Sequence, residues 1–298
     1  MKWSMKIPAR FDVGSGALVL LLVTSCNTAN EHARQCETEL GPIPSFQCTD
    51  GAVVPILVDG IEVDQHQSGT QCDQPAIADA NCRVGTRVGR IETQDAVWTF
   101  LCRNGDDMVQ LIGHNPETGA TCFFETVFEV SQQSDALTVE TGTVQGLIPA
   151  PGDSDYATVW KAPAKVALQR CWSCHGADAF VHSPYIDGAM TDDGERVVPN
   201  VSGPDSAYYL VGDAFERRTR GNERLRSIHI EGNGCLECHR YVDVRQFGED
   251  FAEPWDINAR MPPDDPGSME SDYQALWECA QDGPENTQGC SWRDVPGE

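Results

Sequence analysis

Two five-residue segments hold the residues best placed to do chemistry: Cys171-Trp172-Ser173-Cys174-His175 and Cys235-Leu236-Glu237-Cys238-His239. Both read C-x-x-C-H, the pattern at which a c-type haem is attached. Two thiols add across the vinyl groups of one porphyrin, the short spacer sets their separation, and the histidine reaches the iron from the proximal side. With 13 Cys and 7 His in 298 residues, chance composition supplies roughly 0.01 copies of the pattern. A zinc site made from the two cysteine pairs is the competing reading. The gap between the pairs is far longer than zinc-ribbon spacing and each pair ends in His, which argues against it.

An iron held by His175 or His239 needs a sixth ligand or keeps an open position, and that choice decides between electron transfer and small-molecule chemistry. The candidates are Met261, His229, Met190, His182 and Met269. Met261 sits in Asn258-Ala259-Arg260-Met261-Pro262-Pro263, where the prolines stiffen an extended loop able to hold a weak thioether ligand. It lies 22 residues past His239 and is expected to serve the second haem. For the first haem three alternatives stay open: His229, six residues before Cys235; Met190; and His182, which a helical stretch would turn to the proximal side of its own haem. His32, His66 and His114 read as ordinary surface or turn residues. Trp160, Trp172, Tyr208, Tyr209 and Trp255 are expected to pack on the porphyrins. Arg217, Arg218, Arg220, Arg224 and Arg226 form a basic cluster suited to haem propionates, to a solvated helix face or to a docking partner.

The two haem motifs, a helix feeding the first, and the Met-Pro segment before a closing helix resemble the dihaem c-type cytochromes. The resemblance covers roughly the C-terminal half and implies two covalent haems, with Cys171, Cys174, His175, Cys235, Cys238 and His239 as attachment residues. By the same resemblance, histidines just ahead of a haem motif serve a neighbouring haem, which favours His229. Dihaem peroxidases and thiosulfate dehydrogenases also carry two such motifs; in the peroxidases they lie on two full-sized lobes, farther apart than Cys171 and Cys235.

The N-terminus indicates export. Lys2, Lys6 and Arg10 precede an apolar run from Ala17 to Val23, too short to span a bilayer and matching a signal h-region. The run ends in Leu22-Val23-Thr24-Ser25-Cys26, which resembles a bacterial lipobox with Cys26 as the lipidated residue; an ordinary signal peptide with a later cut is the alternative. The implied compartment is oxidising, on the periplasmic side or cell surface, with the lipid in the inner or outer membrane. Removing Cys26 and the four motif cysteines leaves Cys36, Cys48, Cys72, Cys82, Cys102, Cys122, Cys279 and Cys290. An even remainder in an exported chain predicts four disulfides, three early and one local Cys279–Cys290 loop.

The formal net charge is -25. Such acidity disfavours nucleic-acid binding and suits a redox partner with a basic docking surface, or simple solubility. Composition changes at Pro149-Ala150-Pro151-Gly152-Asp153. Before it, Ala52–Val58, Val97–Cys102, Met108–Ile112 and Cys122–Val130 read as strands of a five- or six-stranded sheet. After it, helices are expected over 164–170, near 205–210 and over 271–277. The predicted organisation is α+β: a signal over 1–25, a tether over 26–35, a disulfide-rich β domain over 36–148, a linker over 149–155, and a mainly α, loop-rich dihaem domain over 156–298, compact or split into two touching lobes. No G-x-S-x-G, H-E-x-x-H, nucleotide loop or EF-hand pattern is present. Electron transfer leads as the function. An enzyme or sensor with one open iron is the rival, and a binding role for the β domain is a third reading.

Overall fold

A computed structural model describes residues 29–73, 82–105, 108–150, 156–168, 171, 175, 179–201, 206–215, 226–238, 242, 256–260, 263, 265 and 267–294. The early strands are Phe46–Gln47 (β1), Ala52–Val53 (β2), Ile56–Val58 (β3), Ile61–Val63 (β4), Arg87–Glu92 (β5), Val97–Arg103 (β6), Met108–His114 (β7) and Ala120–Glu125 (β8). They are followed by Thr138–Glu140 (β9), Thr143–Gln145 (β10), Leu147–Ile148 (β11), Tyr209–Leu210 (β12), Arg226–Ile230 (β13) and Cys290–Asp294 (β14). The helices that matter here are Ala29–Leu40 (α1), Pro163–Leu168 (α2), Pro184–Gly188 (α3), Cys235–Cys238 (α4) and Glu270–Asp282 (α5).

A six-stranded sheet in the order β12-β8-β7-β6-β5-β2 is the centre of the molecule. β5 to β8 form an antiparallel meander, while β12 joins the β8 edge in parallel. The turns follow local chemistry. Gly105 after β6 and Gly119 before β8 take φ of 88° and 84°, the left-handed region where a Cβ is penalised. The Asn115 side-chain carbonyl accepts from the amides of Glu117 and Thr118 at 2.9 and 3.1 Å, closing the β7–β8 turn.

Strand alternation sends side chains to two buried faces. Trp98, Phe100, Cys102, Val109, Leu111, Ala120, Cys122 and Phe124 pack on one face with Ala33, Cys36 and Leu40 of α1. On the other, Val88 and Phe123 pack with Val166, Ala167, Ala179, Phe180, Tyr185 and Tyr208. A Cβ on Gly113 would lie 2.4 Å from the Trp98 ring, so glycine is what lets the indole lie across β7. The four disulfides are Cys36–Cys122, Cys48–Cys102, Cys72–Cys82 and Cys279–Cys290, the count and the local C-terminal loop that cysteine parity predicts. A separate apolar cluster holds Ile228, Val242, Ile257, Tyr273, Leu276, Cys279 and Ala280 around the β13–β14 hairpin and α5.

Several expectations need correction. Residues 29–35, expected as tether, are the first turns of α1, with Ala29, His32 and Ala33 buried. His32 and His114 are core residues rather than surface ones, at 2% and 0% exposure. Ala52–Val58 is not one strand: Pro55 lacks the donor that pairing needs, and β2 and β3 enter different sheets. The strand expected over 122–130 ends at Glu125. Of the helix expected near 205–210, residues 206–208 are non-helical and Tyr209–Leu210 is a strand on the β8 edge, in keeping with the strand preference of tyrosine. The core also crosses the expected linker. Trp160 lies in the cluster beneath the sheet, its indole donates to the Pro149 carbonyl at 3.0 Å, and the Lys161 amide donates to the Glu125 carbonyl at 2.9 Å.

Two buried charge features yield predictions. The Lys161 ammonium pairs with the Glu125 carboxylate, and both side chains are at least nine-tenths buried. Removing one partner strands the other, so Lys161→Met should cost about 3–5 kcal/mol, and the double variant with Glu125→Leu should recover most of it; urea unfolding checks this. His32 Nε2 donates to the Phe123 carbonyl at 3.3 Å, and burial lowers its pKa from 6.5 to about 4. The unfolded chain then binds a proton that the folded chain refuses between those values. Stability attributable to His32 is intact above pH 6.5 and falls toward pH 4 by on the order of 3 kcal/mol. The drop in urea midpoint between pH 7 and 4.5 should be smaller in His32→Leu than in the parent; equal drops would absolve this residue.

Candidate functional site

The first C-x-x-C-H motif is built on the sheet face. α2 opens with Pro163, whose missing donor suits a helix start, and packs Val166 and Ala167 into that face. The His175 amide donates to the Cys171 carbonyl at 2.9 Å, a helical i to i+4 bond across the motif. The His175 ring lies 5.5 Å from the Phe123 ring of β8, and the Tyr208 hydroxyl donates to the His175 carbonyl. His175 Nδ1 stands 2.9 Å from the Ala179 carbonyl, to which it donates. That bond leaves Nε2 with the lone pair, the tautomer a metal ligand needs. The residue as a whole is half-buried, and the protein packed around its ring lowers the His175 pKa from 6.5 to about 4 through desolvation, offset in part by the Ala179 bond. Neutral imidazole, the ligating form, is therefore the state above about pH 4. Trp172 and Cys174 lie outside the described residues.

Seven residues on, His182 is buried at 2% exposure. Its Nδ1 donates to Asp187 Oδ1 at 2.6 Å, and Asp187 Oδ2 accepts from Arg196 at 3.1 Å. Residues 179–182 are not helical, so the helical case weighed for His182 does not apply; Ser183 is extended, with φ -140° and ψ 160°, and caps α3 by accepting from the Ile186 amide. The Ser183 hydroxyl also donates to Asp73 at 2.9 Å, and Asp73 pairs with Arg103 at 3.4 Å, both nearly buried.

The second motif belongs to the C-terminal cluster. Asn233 fixes its start: the side-chain carbonyl accepts from the Cys235 amide at 3.1 Å and the amide group donates to the Asp272 carbonyl at 2.9 Å. Cys235 and Leu236 pack with Met269, Trp277 and Trp292 beside that cluster. A Cβ on Gly234 would sit 3.0 Å from Met269 Sδ, so this thioether is packed against the motif's entry. α4 covers Cys235–Cys238; His239 lies outside the described residues. The two regions touch where the Tyr185 hydroxyl donates to the Pro263 carbonyl at 3.4 Å. Pro263, the last residue of the Met-Pro segment, thus lies beside Tyr185.

The other candidates fall as follows. Met261 and the lipobox Cys26 lie outside the described residues, as do Arg217, Arg218, Arg220, Arg224 and Trp255. Met190 is 46% exposed in a bridge with Arg196. His229 sits in the β13–β14 hairpin opposite Ser291, its pKa lowered by desolvation and by Arg293, with Glu231 opposing. Arg226 lies over the Trp292 ring at 4.2 Å. Tyr208 and Trp160, expected on porphyrin faces, serve the sheet: Tyr208 holds the His175 carbonyl and stacks on His114. Sequence reading missed Phe123, Ala179, Asp187 and Asp73. Asn233 was legible as a cap two residues before Cys235; the others come from distant or irregular segments.

No family model, curated protein or solved structure matches this chain. Among the described residues, no three His, Cys, Asp or Glu side chains converge as a group able to hold a metal ion. The resemblance to the dihaem c-type cytochromes is therefore corrected: it does not amount to membership. The physical difference is plain around the first motif, which rests on a disulfide-bonded β-sheet face rather than between an opening and a closing helix. A haem iron takes at most two ligands from the chain and four from its porphyrin, so what the motifs can hold is a separate question.

The cap makes one prediction. Asn233→Ala should loosen the start of the second motif, lowering the stability of the C-terminal cluster by about 1 kcal/mol. Hydrogen exchange at the Cys235 and Leu236 amides should rise while β6 and β7 amides keep their protection.

Proposed function

We propose that this exported chain binds two haems covalently, one through Cys171, Cys174 and His175 and one through Cys235, Cys238 and His239, and transfers electrons to or from a protein partner. The observation that carries this reading is the state of His175. One helical turn separates it from Cys171, Ala179 fixes its tautomer, and burial keeps its ring neutral. Those are the properties of a histidine that gives Nε2 to an iron. The disulfides add support from the other direction. All eight cysteines outside the two motifs and the lipobox pair among themselves, so the motif cysteines take part in none of those four bridges.

When bound, each haem supplies one-electron exchange at iron. The chain's contribution is to hold each neutral imidazole in place, to surround the first motif with Phe123, Phe180 and Tyr208, and to present an acidic surface. On attachment each thiol S–H would add across one vinyl double bond, sulfur to one carbon and hydrogen to the other. The disulfides fit an oxidising, exported setting. A lipid on Cys26 would hold the chain to a membrane on the periplasmic side or cell surface. The acidic surface suits a partner with a basic docking face, with association that weakens as salt rises.

The test is stoichiometry. The full chain, exported in a bacterium able to attach c-type haem, should keep two haems after denaturation and acid extraction. Its intact mass should rise by two whole haem groups over the disulfide-bonded polypeptide. A Cys171→Ser, Cys174→Ser variant should keep one. A chain that keeps no haem under these conditions overturns the proposal.

A further inference from the structure

We propose that His182 is the sixth ligand of the haem iron held at the first motif, oriented by Asp187. This rests on the reading that the first motif carries a haem.

Three independent features of the fold converge on the ring. Its Nε2 is buried and has no hydrogen-bond partner among the described residues. A buried polar nitrogen left unsatisfied destabilises the fold, a penalty that a bond to iron would remove. The other nitrogen is not idle: Nδ1 donates to Asp187 at 2.6 Å, and Asp187 is itself held by Arg196. A carboxylate on one imidazole nitrogen fixes the tautomer and raises the basicity of the other, the support that ligating histidines have. His32 shows the contrast within this chain, since its Nε2 lies against the Phe123 carbonyl.

The backbone is also braced. Ser183, the next residue, caps α3 and donates to Asp73, and Asp73 pairs with Arg103 and adjoins the Cys72–Cys82 bridge. His182 is thus pinned from the sheet side and from α3. Residues 179–182 are not helical, so no helical geometry carries His182 to the proximal side of the first haem. Its neighbours Ala179, Phe180, Tyr185 and Ile186 share one apolar cluster with Cys171 at its edge. Two competing ligands are poorly placed for that iron. Met190 is exposed, and His229 lies among Ser291, Arg293 and Glu231 in the C-terminal hairpin.

The experiment uses the full chain with a Cys235→Ser, Cys238→Ser background, which leaves the first haem alone, beside the two-haem parent. In the background chain the ferrous haem should bind no carbon monoxide. Adding His182→Ala should convert the ferric haem from low to high spin and let the ferrous haem bind carbon monoxide fully. In the two-haem chain the same change should affect about half of the haem. His182→Met keeps a ligand and guards against simple misfolding: the haem should stay low-spin, gain the ferric charge-transfer band of a thioether ligand, and shift to higher potential. Low-spin, carbon-monoxide-resistant haem in both variants, with no thioether band in His182→Met, overturns the assignment. So does an effect seen only when the second haem is present, which would make His182 a ligand of that haem instead. Neither result touches the count of covalent haems, so the failure of this inference and the failure of the function it rests on are distinguishable.

Discussion

Strand β8 is buried at all six positions, and the rest of the fold is arranged around that constraint. A strand whose two faces are both covered needs a layer on each side. Below, Cys122 is bonded to Cys36 of α1 and Phe124 packs beside His32. Above, Phe123 meets His175 and Thr121 bonds His114. At the strand end Glu125 captures Lys161, which draws the chain beyond residue 155 back to the sheet. The same strand lends its free edge to β12, so the segment after the first motif is secured as well. The first motif therefore has a rigid floor made by the half of the chain that carries no haem motif.

The second motif stands on different ground. Its cluster is small, closed by the Cys279–Cys290 bridge and a two-stranded hairpin. Small cores gain disproportionately from a covalent staple. The two regions make a described contact through Tyr185 and Pro263, a single weak bond between an aromatic side chain and a backbone carbonyl. The two motifs therefore rest on separate cores, which can differ in rigidity and solvent access.

What could be read from the sequence is what depends on short spacing or on parity. The motif turn, the α2 start at Pro163, strands β6 and β7, helix α5 and the Cys279–Cys290 loop all follow from residues close together in the chain. The missed features depend on partners far away. Nothing near His32 announces that Phe124 and Phe215 will enclose it. Asp187 follows His182 by five residues, but its value lies in the turn that α3 makes. Pro149 to Asp153 has the composition of a linker, yet Trp160 and Lys161 return at once to the sheet, because burying an indole and pairing a lysine outweigh the freedom that proline and glycine advertise. The likeness to known haem proteins failed as family membership for the same reason: motifs are local, and the support beneath them is not.

The position of α1 has a mechanical consequence. Its first residue, Ala29, is already buried against the body of the protein. Between Cys26 and Ala29 there are three peptide units, which span at most about 11 Å when fully stretched. An acyl chain on Cys26 would leave almost no leash. The body would lie against the headgroups and turn only about the membrane normal. A partner would have to come to the surface, or live in it.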